Sequence, residues 1–128
     1  MIKWRDAMAV GHADIDADHK HLIDLINLFE TGRDDNVEAT LFELVRYTAY
    51  HFQREEKLQM TLGFPLAAPH KQSHEHLLAE ANALLRRWES SPGEQHRALM
   101  GEIAPFLRGW LIDHIINEDL LMKPFIRH

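Results

Sequence analysis

The chain contains no cysteine. That absence removes disulfides, zinc–thiolate sites, iron–sulfur clusters and thiol nucleophiles together. The sequence also has no basic run and no basic patch interleaved with aromatics. With a formal net charge of −6, nucleic acid is not an expected partner. No stretch approaches the roughly 20 apolar residues of a membrane span, so membrane insertion is not expected. The opening Met1-Ile2-Lys3-Trp4-Arg5-Asp6 lacks the apolar core of a signal peptide, and a soluble cytoplasmic protein is the expectation. There is no low-complexity segment. A chain of 128 residues with 45% hydrophobic content suits one domain, residues 1–128, built round a single core. Histidine is what the chain has in excess, with ten residues. Imidazole is the commonest metal ligand, so a histidine-rich chain without thiols points to imidazole chemistry if it holds a metal.

Three breaks punctuate the chain: Thr31-Gly32-Arg33-Asp34-Asp35-Asn36, Gly63-Phe64-Pro65 and Ser90-Ser91-Pro92-Gly93. Each combines helix stops with helix caps. They divide the sequence into four expected helices, at about 16–31, 36–62, 67–90 and 94–122. Links this short make neighbouring helices antiparallel, which gives an all-α, up-down-up-down four-helix bundle preceded by an N-terminal arm. Pro105 is expected to kink or split the fourth helix, since it removes a backbone donor.

Every helix carries an apolar stripe at helical spacing, and the stripes contain ionisable residues. In the first helix His19 leads into Leu22, Ile23, Ile26 and Phe29. In the second, Leu41, Leu44 and Thr48 lead to His51, Glu55, Leu58 and Leu62. In the third, His70 and His74 precede Leu77, Ala81, Leu84 and Trp88. In the fourth, Leu99, Ile103, Leu107 and Leu111 lead to His114 and Leu121. His21 and His76 lie two residues from stripe positions, about 200° round the helix, and are expected to face solvent. His12, His96 and His128 fall in the arm, near a helix start and at the terminus. In an up-down bundle, the start of the first helix, the end of the second, the start of the third and the end of the fourth share one end of the molecule. At 1.5 Å per residue, His19, His51, Glu55, His70, His74 and His114 all sit roughly 5–16 Å from that end. Alone, an inward histidine is usually a satisfied core residue, and an HxxxE or HxxxH pair is a common surface feature. Five inward imidazoles at one level would leave buried polar atoms unpaired without a metal, at a cost of about 1–3 kcal/mol each.

The segments that carry these residues resemble the hemerythrin family in its bacterial form. Ile15-Asp16-Ala17-Asp18-His19-Lys20-His21-Leu22 is similar to the family's first helix. Tyr50-His51-Phe52-Gln53-Arg54-Glu55-Glu56 is similar to its HFxxEE signature, Gly63-Phe64-Pro65 with His70-Lys71-Gln72-Ser73-His74 to its GYP…HxxxH stretch, and Trp110-Leu111-Ile112-Asp113-His114-Ile115 with Asp119 to its WLxxHIxxxD end. The resemblance implies a ligand set of His19, His51, Glu55, His70, His74, His114 and Asp119. Asp119 comes from the resemblance alone. It stands five residues after His114, whereas helical period would have chosen Glu118, so its use requires the last turn to loosen, as a π-type bulge would. Gln59 departs from the family pattern, which places methionine there; here the methionine is Met60.

The resemblance implies two iron ions joined by a bridging oxo or hydroxo group, with Glu55 and Asp119 as bridging carboxylates. Five imidazoles and these bridges leave one coordination position open, for dioxygen. Neutral imidazoles outnumber carboxylates, which suits reversible carriage better than the oxidative chemistry of carboxylate-rich di-iron bundles. The expected protein is therefore an oxygen binder and not an enzyme, with Leu111 and Ile115 as candidate walls of a dry oxygen pocket. Storage, delivery to an oxygen-consuming partner enzyme and sensing share such a site, and no attached output domain is expected. Peroxide or nitric-oxide reduction at a di-iron centre is the rival from another class. It would need electron delivery, for which the sequence has no cofactor-binding motif. Iron storage or metal buffering is a third reading.

Overall fold

The computed structural model describes residues 1–32 and 37–126. Arg33, Asp34, Asp35 and Asn36 of the first break, and His128, lie outside the described residues. Four long helices account for most of the rest: α1 (Ala13–Thr31), α2 (Val37–Leu62), α3 (Ala67–Ser90) and α4 (His96–Gly109). No strand occurs among the described residues. α1 begins three residues before its expected start because His12 caps it. The His12 backbone is extended, and its Nδ1 accepts from the Ile15 amide at 3.4 Å.

α1 packs on α2 and α4, and α3 packs on α2 and α4, closing the ring of an antiparallel four-helix bundle. α4 stays helical through Pro105 and is not split there. The change comes five residues later. The run continues as a π-helical segment, Trp110–Ile116, then a single α turn, Asn117–Asp119, and a 3-10 stretch, Leu120–Phe125.

The apolar interior is divided in two. The larger part fills the bundle body with residues such as Leu22, Ile26, Phe29, Leu44, Leu77, Leu107 and Trp110. The smaller caps one end with Val10, Ile15, Phe64, Met122 and Ile126. Two stripe positions move by one residue: Leu85 is buried where Leu84 was expected, and Met122 where Leu121 was expected. The N-terminal arm lies along the bundle. Ile2 exchanges two hydrogen bonds with the Asn27 side chain, at 3.0 and 2.8 Å, and Trp4 packs partly buried beneath the Lys20 ammonium.

The turn after α2 places the end cap. Gly63 has φ +63°; its amide donates to Met60 O at 3.3 Å, and the Phe64 amide reaches back to Gln59 O at 3.0 Å. That pair of bonds satisfies the last carbonyls of α2 and needs a left-handed residue between them. A Cβ at Gly63 would meet nothing within 4 Å, so the strain of an L side chain there is purely conformational. Gly63→Ala should therefore lower unfolding free energy by about 1–2 kcal/mol, measured by urea denaturation, with helix content by circular dichroism unchanged.

Candidate metal centre

Between the two apolar layers lies a polar one. α1 contributes His19, α2 His51 and Glu55, α3 His70 and His74, and the α turn after the π segment Asp119; all six are buried. Their ligand atoms fall into two groups, each with its atoms within 4.8 Å of one another: His19, His51, Glu55 and Asp119, and His70, His74, Glu55 and Asp119. The two carboxylates belong to both groups, and each divides its oxygens between them. Glu55 Oε2 lies 3.0 Å from His51 Nε2 and 3.8 Å from His19 Nε2, while its Oε1 lies 3.0 Å from His74 Nε2 and 3.5 Å from His70 Nε2. Asp119 Oδ2 lies 2.6 Å from His19 Nε2 and 3.4 Å from His51 Nε2, while its Oδ1 lies 2.9 Å from His70 Nε2. All four imidazoles aim Nε2 inward.

Close approach does not amount to hydrogen bonding throughout this layer. Both Glu55 oxygens, His74 Nε2 and His19 Nδ1 are buried with no hydrogen-bond partner. A fully buried carboxylate whose oxygens face imidazole nitrogens without aligned bonds fits a layer arranged round cations. The facing carboxylates favour the protonated form of the imidazoles. Burial works against charging His51, but the Glu55 charge and hydrogen bonds to Asp119 and Asp18 hold its pKa well above the ordinary 6.5. His19 is raised in the same way, burial being outweighed by its hydrogen bond to Asp119 and the nearby Glu55 carboxylate. His70 reaches about 10, because contacts with Asp119 and Glu55 outweigh its burial. Burial would raise Glu55, yet the facing His51 and His19 imidazoles keep it well below 4.5.

A second ring of groups orients the imidazoles. His51 Nδ1 lies 2.9 Å from Asp18 Oδ2, and Asp18 Oδ1 accepts from Tyr47 Oη at 2.6 Å. Arg54 Nε lies 3.2 Å from the same Asp18 oxygen as His51, as an ion pair without hydrogen-bond alignment. His74 Nδ1 lies 3.2 Å from Glu56 Oε2 and stacks on Phe52 with ring centres 3.8 Å apart. A carboxylate behind an imidazole fixes its tautomer and raises its basicity. Sequence reasoning missed Asp18, although the signal was present: Ile15, Asp18, His19 and Leu22 are spaced i, i+3, i+4, i+7 and are all buried.

The fourth helix departs from expectation. His114 is exposed and stands outside both donor groups, which corrects its expected inward place. The cause is the position of the wide turn. Buried residues of this run recur every fourth place, Leu99, Ile103, Leu107, Leu111, Ile115 and Asp119. The π segment lets that spacing hold one face, and His114, one residue short of Ile115, is turned off it. Asp119 thereby enters the polar layer, while Glu118 stays half-buried beside Ser73. Leu111 and Ile115 are fully buried in the larger apolar layer. Gln59 is buried in the end cap, where its Nε2 donates to Met122 Sδ at 3.4 Å and its Oε1 has no partner; Met60 is exposed. His21 and His76 face solvent, and His96 stacks on Trp88 at the opposite end of the bundle.

Residues 10–126 match the family model described as the hemerythrin HHE cation binding domain. A bacteriohemerythrin of Pseudomonas paraeruginosa is 30% identical over 98% of the chain and 81% of its own length. One from Stenotrophomonas maltophilia is 28% identical over 93% of the chain and 77% of its length. A hemerythrin-like protein of Naegleria gruberi is 28% identical over 94% of the chain and 89% of its length. A match across nearly the whole chain, on a four-helix bundle whose buried histidines and carboxylates could hold metal, places this protein in the hemerythrin family.

Proposed function

We propose that the chain binds dioxygen reversibly at a pair of non-heme irons held between its four helices. The division of the Glu55 and Asp119 oxygens between two pairs of imidazoles carries this reading, since that is the arrangement two bridged metal ions require. His19 and His51 would hold one ion and His70 and His74 the other. A di-iron pair supplies the two electrons that oxygen takes up on binding. The protein's part is to keep the ions dry and fixed. Leu111 and Ile115 lie in the apolar layer that would wall the oxygen site on one side, and the Phe64 and Met122 cap closes the other. Asp18 and Glu56 hold His51 and His74 from behind. Iron-loaded, reduced protein should be colourless, gain a visible charge-transfer band with oxygen and lose it under vacuum. Continuous oxygen consumption with added reductant would replace carriage with turnover.

His114 decides between these outcomes. Counting a bridging hydroxide, four imidazoles leave one open position on each iron. A fifth imidazole from His114 would close one of them. Bringing His114 inward requires the wide turn to move a few residues toward the C-terminus, past it. Metal loading should therefore protect His114 from carbethoxylation while His21 and His76 stay reactive, read by peptide mass spectrometry. A His114 equally reactive after loading would mean two open positions, the arrangement that favours turnover.

The carboxylate assignment has its own check. Asp119→Ala should lose bound iron, whereas Glu118→Ala should retain a final content near two.

Protonation sets a further expectation. His19, His51 and His70 have raised pKa values in the metal-free chain, so metal must displace their protons. Titration of the apoprotein near neutral pH should release protons, and apparent affinity should rise with pH toward about 10, the His70 value. Groups with raised pKa stabilise the fold fully below 6.5 and lose that contribution as pH climbs through their folded values. Glu55 has a lowered pKa, so its contribution is present above 4.5 and lost as pH falls. The melting temperature of the metal-free chain should thus peak between about pH 4.5 and 6.5 and decline toward pH 10, while the gap between loaded and metal-free protein widens.

A further inference from the structure

The polar layer is sealed by apolar residues on two sides, yet a cation must reach it. Its members differ in how far they are sealed. His19, His51 and Glu55 are 0% exposed, Asp119 1% and His74 3%, whereas His70, at 5%, is the most exposed. His70 also lines a surface groove of about 260 Å³ between the start of α3 and the last turns of the fourth helix. Leu66, Pro69 and Leu121 form apolar walls, and Ser73 and Glu118 complete the lining. Ser73 Oγ lies 2.9 and 2.7 Å from the two Glu118 oxygens and donates to that carboxylate, holding it across the opening. The groove's two titratable residues are thus Glu118 and His70, and His70 lies 2.9 Å from Asp119 and 3.5 Å from Glu55.

We propose that this groove is the entrance for the divalent cations of the metal centre, with Glu118 as the capture site and His70 as the first inner donor. The proposal rests on the metal-centre reading given above. A single carboxylate between apolar walls faces a weakly screening medium, which strengthens and focuses its pull on a cation. The chain's net charge of −6 adds a long-range attraction of the same sign. His70 links groove to centre: it lines the opening, and its Nε2 already faces both carboxylates. Glu118 is not aligned with the six buried donors, so its charge serves arrival and not final coordination.

The test is stopped-flow uptake of Co²⁺ by the apoprotein, followed by the visible ligand-field bands of the bound ion, with final metal content measured separately. Glu118→Gln keeps the size of the side chain and its bond to Ser73 but removes the charge. Leu121→Trp narrows the groove at an exposed rim position. Glu94→Gln, at the far end of the bundle, makes the same charge change away from the groove. Glu118→Gln should slow uptake about tenfold at low ionic strength, and added salt should shrink the difference. Leu121→Trp should also slow uptake, Glu94→Gln should leave it unchanged, and all three should still reach two Co²⁺ per chain. Wild-type rates in both groove variants, or equal slowing by Glu94→Gln, would overturn the entrance. So would a final content below two in Glu118→Gln, which would make Glu118 a ligand. Failure of the unaltered chain to take up Co²⁺ would instead overturn the metal centre itself.

Discussion

The burial of two carboxylates and four imidazoles in one layer is the constraint on which the rest of this bundle depends. Charged groups removed from water are costly unless each finds an opposite charge. Glu55 and Asp119 are almost completely buried, and the imidazoles facing them lie on three different helices. No pair of helices could neutralise this layer alone, so all four must converge at one height. The apolar residues above and below have the converse task. They exclude water that would otherwise solvate the layer and weaken every interaction in it.

How much of this could be read in the sequence varies by helix, for a physical reason. Wherever the backbone keeps 3.6 residues per turn, period locates the inward side chains. His19, His51, Glu55, His70 and His74 were all placed by period, and all lie in the polar layer. Period misleads where the repeat changes. Through Trp110–Ile116 the turn is wider, so counting by 3.6 brought His114 inward and would have chosen Glu118 over Asp119. Resemblance to the family supplied Asp119 and implied a loosened turn. It did not say that the turn would widen across His114 instead of after it. Asp18 was missed for another reason. Its spacing is legible, but a carboxylate next to a histidine inside a motif does not by itself announce a buried group needing a partner. For Gln59 the family pattern shows only a departure from methionine; the structure gives its side chain a sulfur partner in the end cap, which a one-dimensional pattern does not show.

The groups behind the imidazoles are unequal. His51 is backed by Asp18, which Tyr47 and Arg54 hold in turn, and His74 by Glu56. His19 Nδ1 has no acceptor. Each imidazole pair therefore includes one ring strengthened by a carboxylate. The His51 support is enclosed, whereas the His74 support is half-exposed and open to solvent screening. The two halves of the centre are thus electrically distinct even though their inward donors match.

The order of the donors along the chain also bears on assembly during folding. Glu55, His70 and His74 lie within one helical hairpin, α2 and α3 joined by the Gly63 turn, and they need only contacts close in sequence to meet. His19 and Asp119 come from opposite ends of the chain, 100 residues apart, and lie 2.6 Å from each other when the bundle closes. Loop closure over that distance is a slower, non-local event than hairpin formation. Three donors that could hold a cation, Glu55, His70 and His74, can thus meet through the hairpin alone. A cation arriving early would find its first partners on the hairpin, while the second set of donors forms only with the joining of the chain's two ends.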